Sequence, residues 1–272
     1  MTNWRENPII RRELLLRLRP LPSNRVTLTV VVVLGLLTVA LLYWAALQIH
    51  GLRNAPRELL IMTIVLQTLV TVGTAPAVTA NAVSREREQR TWDLLTISLL
   101  QPHEVVLGKL IGRTLPVLLL LQLGLPMILL CVLFEPALLP GALLGTLCVL
   151  ATSLLLSTGG LVASCYSRKT VTATALAYLF AGVWVFGTLI LWGLTSLLFP
   201  HLSAQQASFW MALNPFAVIE PTMAKYTPAP YSADTSLLYL LSPWALLVVY
   251  SGLTVTLLWV LISTYRSWAY RQ

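Results

Sequence analysis

Side chains able to make or break bonds are few in this sequence and stand far apart. His50, His103 and His201 occur without an H-E-x-x-H or a paired carboxylate, and Cys131, Cys148 and Cys165 occur without a C-x-x-C. Such spacing offers neither zinc ligands nor a nucleophile with its base, so no catalytic residue and no metal site is expected. Glu220 and Asp234 lack a third convergent group and read as solvated charges. There is no G-x-x-x-x-G-K-[ST] phosphate loop, so ATP hydrolysis is not expected of this chain. The densest group of ionisable residues lies between Ser84 and Arg113, and the chemistry open to it is recognition: a charged face that keys into another surface.

The elements that must position this segment are set by composition. The chain has 272 residues, 57% of them hydrophobic and 10% charged, with a mean hydropathy of +0.79; a soluble domain carries about 25% charged residues. Charge-free apolar runs, each long enough to cross about 30 Å of hydrocarbon at about 1.5 Å per residue, occupy 26–48, 59–83, 114–133, 141–165, 171–199 and 244–265. The expected fold class is therefore an all-α integral membrane protein with six transmembrane helices, multi-pass in the cell (cytoplasmic) membrane. The long fifth run implies tilt or an extension into the interface.

Orientation follows from charge. Of the 18 Lys and Arg residues, 15 fall in alternate segments (1–25, 84–113, 166–170 and 266–272), which the positive-inside rule assigns to the cytoplasm together with both termini. The formal charge of +8 is thus absorbed by membrane orientation, and nucleic acid is not an expected partner. Tyr43, Trp44, Trp192 and Trp244 near outer ends, and Tyr265, Trp268 and Tyr270 near the inner one, read as interfacial anchors. Residues 1–25 read as a retained cytoplasmic end. Within it, Ile10, Leu14 and Leu18 repeat at helical spacing beside Arg11, Arg12, Arg17 and Arg19, predicting an amphipathic helix on membrane lipid of the inner leaflet, with 266–272 a short cytoplasmic tail.

Around the wheel after Ser84, Trp92, Leu95 and Leu99 share one side and Glu86, Arg90 and Asp93 the other, which predicts an amphipathic helix ended by Pro102. Glu86 and Arg90 have the favourable i, i+4 order. Glu88 falls among the apolar positions, where a carboxylate needs a partner, in this chain or another. In the outer loop 200–243 the prolines at 215, 221, 228 and 230 predict short helical pieces, re-entrant or lying at the outer surface. Within the spans, Gln67 and Gln122 could line a pathway or bond between helices, and Gly141-x-x-x-Gly145 and the Ser153/Ser157 pair have the spacing of close helix packing. No carboxylate, Lys or His within the runs marks an ion-gradient relay, which points to an external motor.

Asn7-Pro8-Ile9-Ile10-Arg11-Arg12-Glu13-Leu14 before the first run, Ser84-Arg85-Glu86-Arg87-Glu88-Gln89-Arg90-Thr91-Trp92-Asp93-Leu94-Leu95 after the second, and Glu104-Val105-Val106-Leu107-Gly108-Lys109-Leu110 before the third resemble the membrane subunits of ABC-2 type exporters. The resemblance spans nearly the whole chain in architecture and is specific over 84–113. It implies a permease subunit that forms the substrate pathway, with 84–113 a coupling-helix loop in which Glu86, Arg87, Glu88, Thr91 and Asp93 meet the ATPase. Arg11, Arg12, Glu13 and Leu14 would form the interfacial helix beside that loop. It implies as partners a separate ABC ATPase subunit, carrying the ATP and Mg that this chain lacks as cofactors, and a second permease subunit in a homodimer or heterodimer. Arg90 stands where the family has Gly, and Gln101 where it has a basic or small residue. The alternative is a non-transporting ABC-like membrane subunit that transmits force or docks an outer partner through 200–243.

Overall fold

The computed structural model describes residues 44, 55–90, 101–199, 208–224, 237–265 and 267, and among these it is helical, without a strand. The helices are α1 (55–80), α2 (Ser84–Glu88), α3 (Pro102–Gln122), α4 (Leu125–Phe134), α5 (Leu139–Tyr166), α6 (Thr170–Leu198), α7 (Ile219–Ala224) and α8 (Leu237–Ser263). Five helical segments, α1 with α2, α3 with α4, α5 with the turn before it, α6, and α8 from Pro243, are long and apolar enough to cross a membrane. The run 26–48 lies outside the described residues except for Trp44, which is helical and exposed. The N-terminal segment with Arg11, Arg12, Glu13 and Leu14 also lies outside them.

α5 is the most deeply buried of the five and forms the bundle's axis. It runs parallel to α1 at a separation of 81 residues, fixed where the Ser164 hydroxyl meets the Val83 amide and where Gly145 and Gly160 lie against Ile64 and Thr79. The lack of a side chain at Gly160 permits this approach, since a Cβ there would collide with the Thr79 hydroxyl and stand 3.2 Å from the Pro76 carbonyl. α3 and α6 run the opposite way. The outward faces of α6 and α8 carry Leu179, Val183, Phe186, Ile190, Val248, Val255 and Trp259, all exposed. So much contiguous apolar surface has its natural solvent in lipid and fits a multi-pass membrane protein. Threonines inside the helices return their hydroxyls to the carbonyl four residues back, as at Thr63, Thr68, Thr71 and Thr74, so they cost little in an apolar setting.

Three features depart from the sequence reading. The third membrane helix begins at Pro102, not at Thr114, and Pro102 starts it where the sequence suggested an end. Proline fits the first turn, and the Gln101 amide closes back onto the Glu104 carboxylate at 3.0 Å. Second, the helix after Ser84 stops at Glu88, with Arg90 in the left-handed region (φ 57°), so Glu86 and Arg90 do not form one helical face. Third, of the two alternatives for the loop, re-entrant or surface-lying, residues 208–224 depart from the second, since they pack within the bundle. Asn214 is buried and donates from Nδ2 to the Val185 carbonyl (2.9 Å) and the Thr188 hydroxyl (2.8 Å), near the middle of α6. Its Oδ1 accepts the Phe216 and Ala217 amides, and Tyr250 of α8 donates to the Leu213 carbonyl at 2.7 Å. Met223 of α7 packs with Ile64, Met127 and Ala142. Polar backbone at this depth is tolerated because side chains of the bundle satisfy it.

Candidate functional site

The site is the short turn of helix at one end of the bundle. α1 ends at Ala80 and the chain restarts as α2, leaving amides at its beginning without intrahelical acceptors. Ser164 of α5 supplies the missing acceptor: its Oγ takes the Val83 amide at 2.8 Å and the Ser84 amide at 3.0 Å. A serine from another helix thus acts as the N-cap of α2.

Beyond Arg85, three consecutive side chains reach three different helices. Glu86 Oε2 lies 2.6 Å from Lys109 Nζ on α3, and Lys109, 1% exposed, also donates to the Ala82 carbonyl at 3.1 Å. Arg87 donates from Nη1 to the carbonyls of Cys165 (2.8 Å) and Ser167 (3.3 Å), at the C-terminus of α5. There the unpaired carbonyls and the negative end of the helix dipole favour a guanidinium. Glu88 turns the opposite way along the same connection. Its Oε1 accepts the Thr170 amide at 2.8 Å, and both carboxylate oxygens accept the Thr170 hydroxyl, at 3.2 and 3.1 Å, at the N-terminus of α6. An anion is suited to that positive end. One five-residue helix is thereby fixed to α3, α5 and α6 at once, with Glu88 exposed at its end as Arg85, Gln89 and Arg90 are.

No family model matches the chain, and no curated protein matches its sequence.

Of the residues singled out from sequence, Glu86, Arg87 and Glu88 are thus brought together, and Thr91 and Asp93 lie outside the described residues. Glu88 finds its partner within the chain, at Thr170. Gln67 is buried and donates from Nε2 to the Leu121 carbonyl at 2.9 Å, at the break between α3 and α4 where Pro126 cannot continue the ladder. Gly124 leaves room for it: a Cβ there would stand 2.9 Å from Gln67 Cδ. Gln122 is exposed, so the two glutamines do not share a lining. Gly141 and Gly145 are buried, the latter against Ile64 and Met223. No group of three metal-ligating side chains occurs among the described residues. Lys109, Ser164 and Thr170 belong to the site but were not anticipated as its members. Lys109 carried a signal, being a cation inside the apolar stretch Leu107–Leu110 that calls for an acid nearby.

Proposed function

We propose that this chain is the permease subunit of an ATP-driven ABC-2 type exporter, with both termini cytoplasmic, a sixth span at 26–48, and α2 the element that receives movement from a separate ATPase. One observation carries the reading: Glu86, Arg87 and Glu88, consecutive in sequence, are bonded to α3, α5 and α6 respectively. A push on α2 has three routes into the bundle, each a hydrogen-bonded contact to a helix end or a buried ion pair, which is what a subunit without a motor of its own requires. The exposed side chains around the turn, Arg85, Gln89 and Arg90, are surface offered to the ATPase.

The experiment is to purify the tagged chain from its native membrane in mild detergent, identify what accompanies it by mass spectrometry, and repeat with Glu88→Ala and Asp93→Arg. A phosphate-loop ATPase in near-stoichiometric amount is expected. Asp93→Arg is expected to lose it, and Glu88→Ala to keep it while losing transport-coupled ATP hydrolysis. An outer protein recovered in place of the ATPase, and lost when Asn214 is replaced, would overturn the exporter reading in favour of the docking subunit.

A further inference from the structure

Among the described residues, three buried hydroxyls make no hydrogen bond to protein: Thr114 Oγ1 on α3, and Ser153 and Ser157 Oγ on α5. Ser153 and Ser157 are fully buried and Thr114 is 2% exposed. Neighbouring buried threonines behave differently, since Thr68, Thr71, Thr79 and Thr152 each donate to the carbonyl four residues back. The helix registers bring the three orphans within one helical turn of one another. The 81-residue separation of α1 and α5 sets Ser153 beside Val72 and Ser157 beside Pro76. The bonds from Lys109 to Ala82 and from Gln67 to Leu121 fix α3 against α1 and put Thr114 near Pro76 as well. Packing of Val117 with Ala75 and Leu156 agrees with that alignment. A fourth polar atom lies at the same height: Pro76 has no N–H, so the Val72 carbonyl lacks the helical donor it would otherwise receive.

We propose that Thr114, Ser153, Ser157 and the Val72 carbonyl hold internal water between α1, α3 and α5. Hydroxyls both donate and accept, a carbonyl only accepts, and a buried water needs two to four such partners, which this set provides. Toward α2 the helices close up at the contact of Gly160 with Thr79 and Pro76, and Ala75, Val117 and Leu156 pack together at the level of the hydroxyls. Lys109 and Arg113, buried on adjacent turns of α3, make a metal cation a poor occupant. Water so placed lets α5 shift against its neighbours while its polar atoms exchange partners, at less cost than parting direct bonds.

Radiolytic hydroxyl-radical footprinting of the full chain in lipid nanodiscs tests this, with ¹⁸O-labelled water as the probe and mass spectrometry as the readout. Val117 and Leu156, although buried, are expected to take up ¹⁸O several-fold faster than Leu59 and Leu60 in the apolar cluster near α7, and Thr114→Val with Ser157→Ala is expected to abolish the difference. Labelling of Val117 and Leu156 no faster than that of Leu59 and Leu60 overturns the proposal, as does uptake unchanged by the substitutions. If the double variant does not fold, Thr114→Val alone, which keeps the side-chain shape, is expected to show the same fall, and an unchanged rate there overturns the proposal equally.

Discussion

Glu86 and Lys109 illustrate how one side chain can decide the cost of another. Lys109 has a side chain only 2% exposed, against 15% for Glu86, so the ammonium depends on its carboxylate more than the carboxylate depends on it. Glu86→Ala, which removes the carboxylate beside the buried Lys109 ammonium, is expected to destabilise the fold by about 3 kcal/mol, and Lys109→Met by less. The double variant should fall short of the sum by about 1–3 kcal/mol, read from thermal unfolding in micelles; strict additivity would mean the pair is not coupled. At this scale the sequence was half legible. The wheel set Glu88 among apolar positions, yet the helix ends at Glu88 and its carboxylate is exposed; the partner it does have, Thr170, lies 82 residues away and no local spacing indicates it. Ser164 was hidden for the same reason: as an intrahelical serine it looks inert until the amides it caps arrive from another part of the chain.

Among the elements, helices whose ends coincide with charge or proline were readable, and those whose ends depend on tertiary contacts were not. α6, Thr170–Leu198, lies within one residue at each end of the apolar run 171–199, because Lys169 and Pro200 bound it. α3 begins twelve residues before its apolar run because Lys109 and Arg113, which break the hydropathy pattern, are buried within the helix. Similarly, no periodicity could place 208–224 in the bundle, since Asn214 reads as a turn residue until Val185 and Thr188 receive it. Two outcomes follow. Ser164→Ala is expected to weaken the start of α2 by about 1 kcal/mol, the usual worth of an N-cap, seen as faster amide exchange over 83–88 with exchange over α5 unchanged. Asn214→Leu removes four hydrogen bonds and leaves the Phe216 and Ala217 amides unpaired. It is expected to free 208–224 for proteolysis from the side opposite α2, with circular dichroism preserved; equal resistance to protease would mean that packing alone holds the segment.

For the whole molecule, the decisive matter is which face carries the N-terminal segment. α1, α5 and α8 end on the side of α2, where Leu261 and Tyr265 pack with Val83 and Val105 and Tyr166 lies 2.8 Å from Thr264. Five crossings therefore put residue 55 and residue 265 on opposite sides, and only a further crossing at 26–48 brings 1–25 to the face of α2. Charge favours that arrangement, since it gathers 15 of the 18 basic residues on one side. It also bears on the proposed mechanism, for an arginine-rich segment beside α2 would enlarge the surface offered to an ATPase, whereas one on the far side could not touch it. Single cysteines at Thr2, Arg85 and Ala137, in a background with Cys131, Cys148 and Cys165 replaced, separate the cases by reaction with an impermeant maleimide. In intact cells Ala137→Cys, exposed in the turn between α4 and α5, is expected to label at once, and Thr2→Cys and Arg85→Cys only after permeabilisation. Labelling of Thr2→Cys in intact cells would show that 26–48 does not cross the membrane, and the coupling surface proposed for α2 would then have no help from the N-terminus.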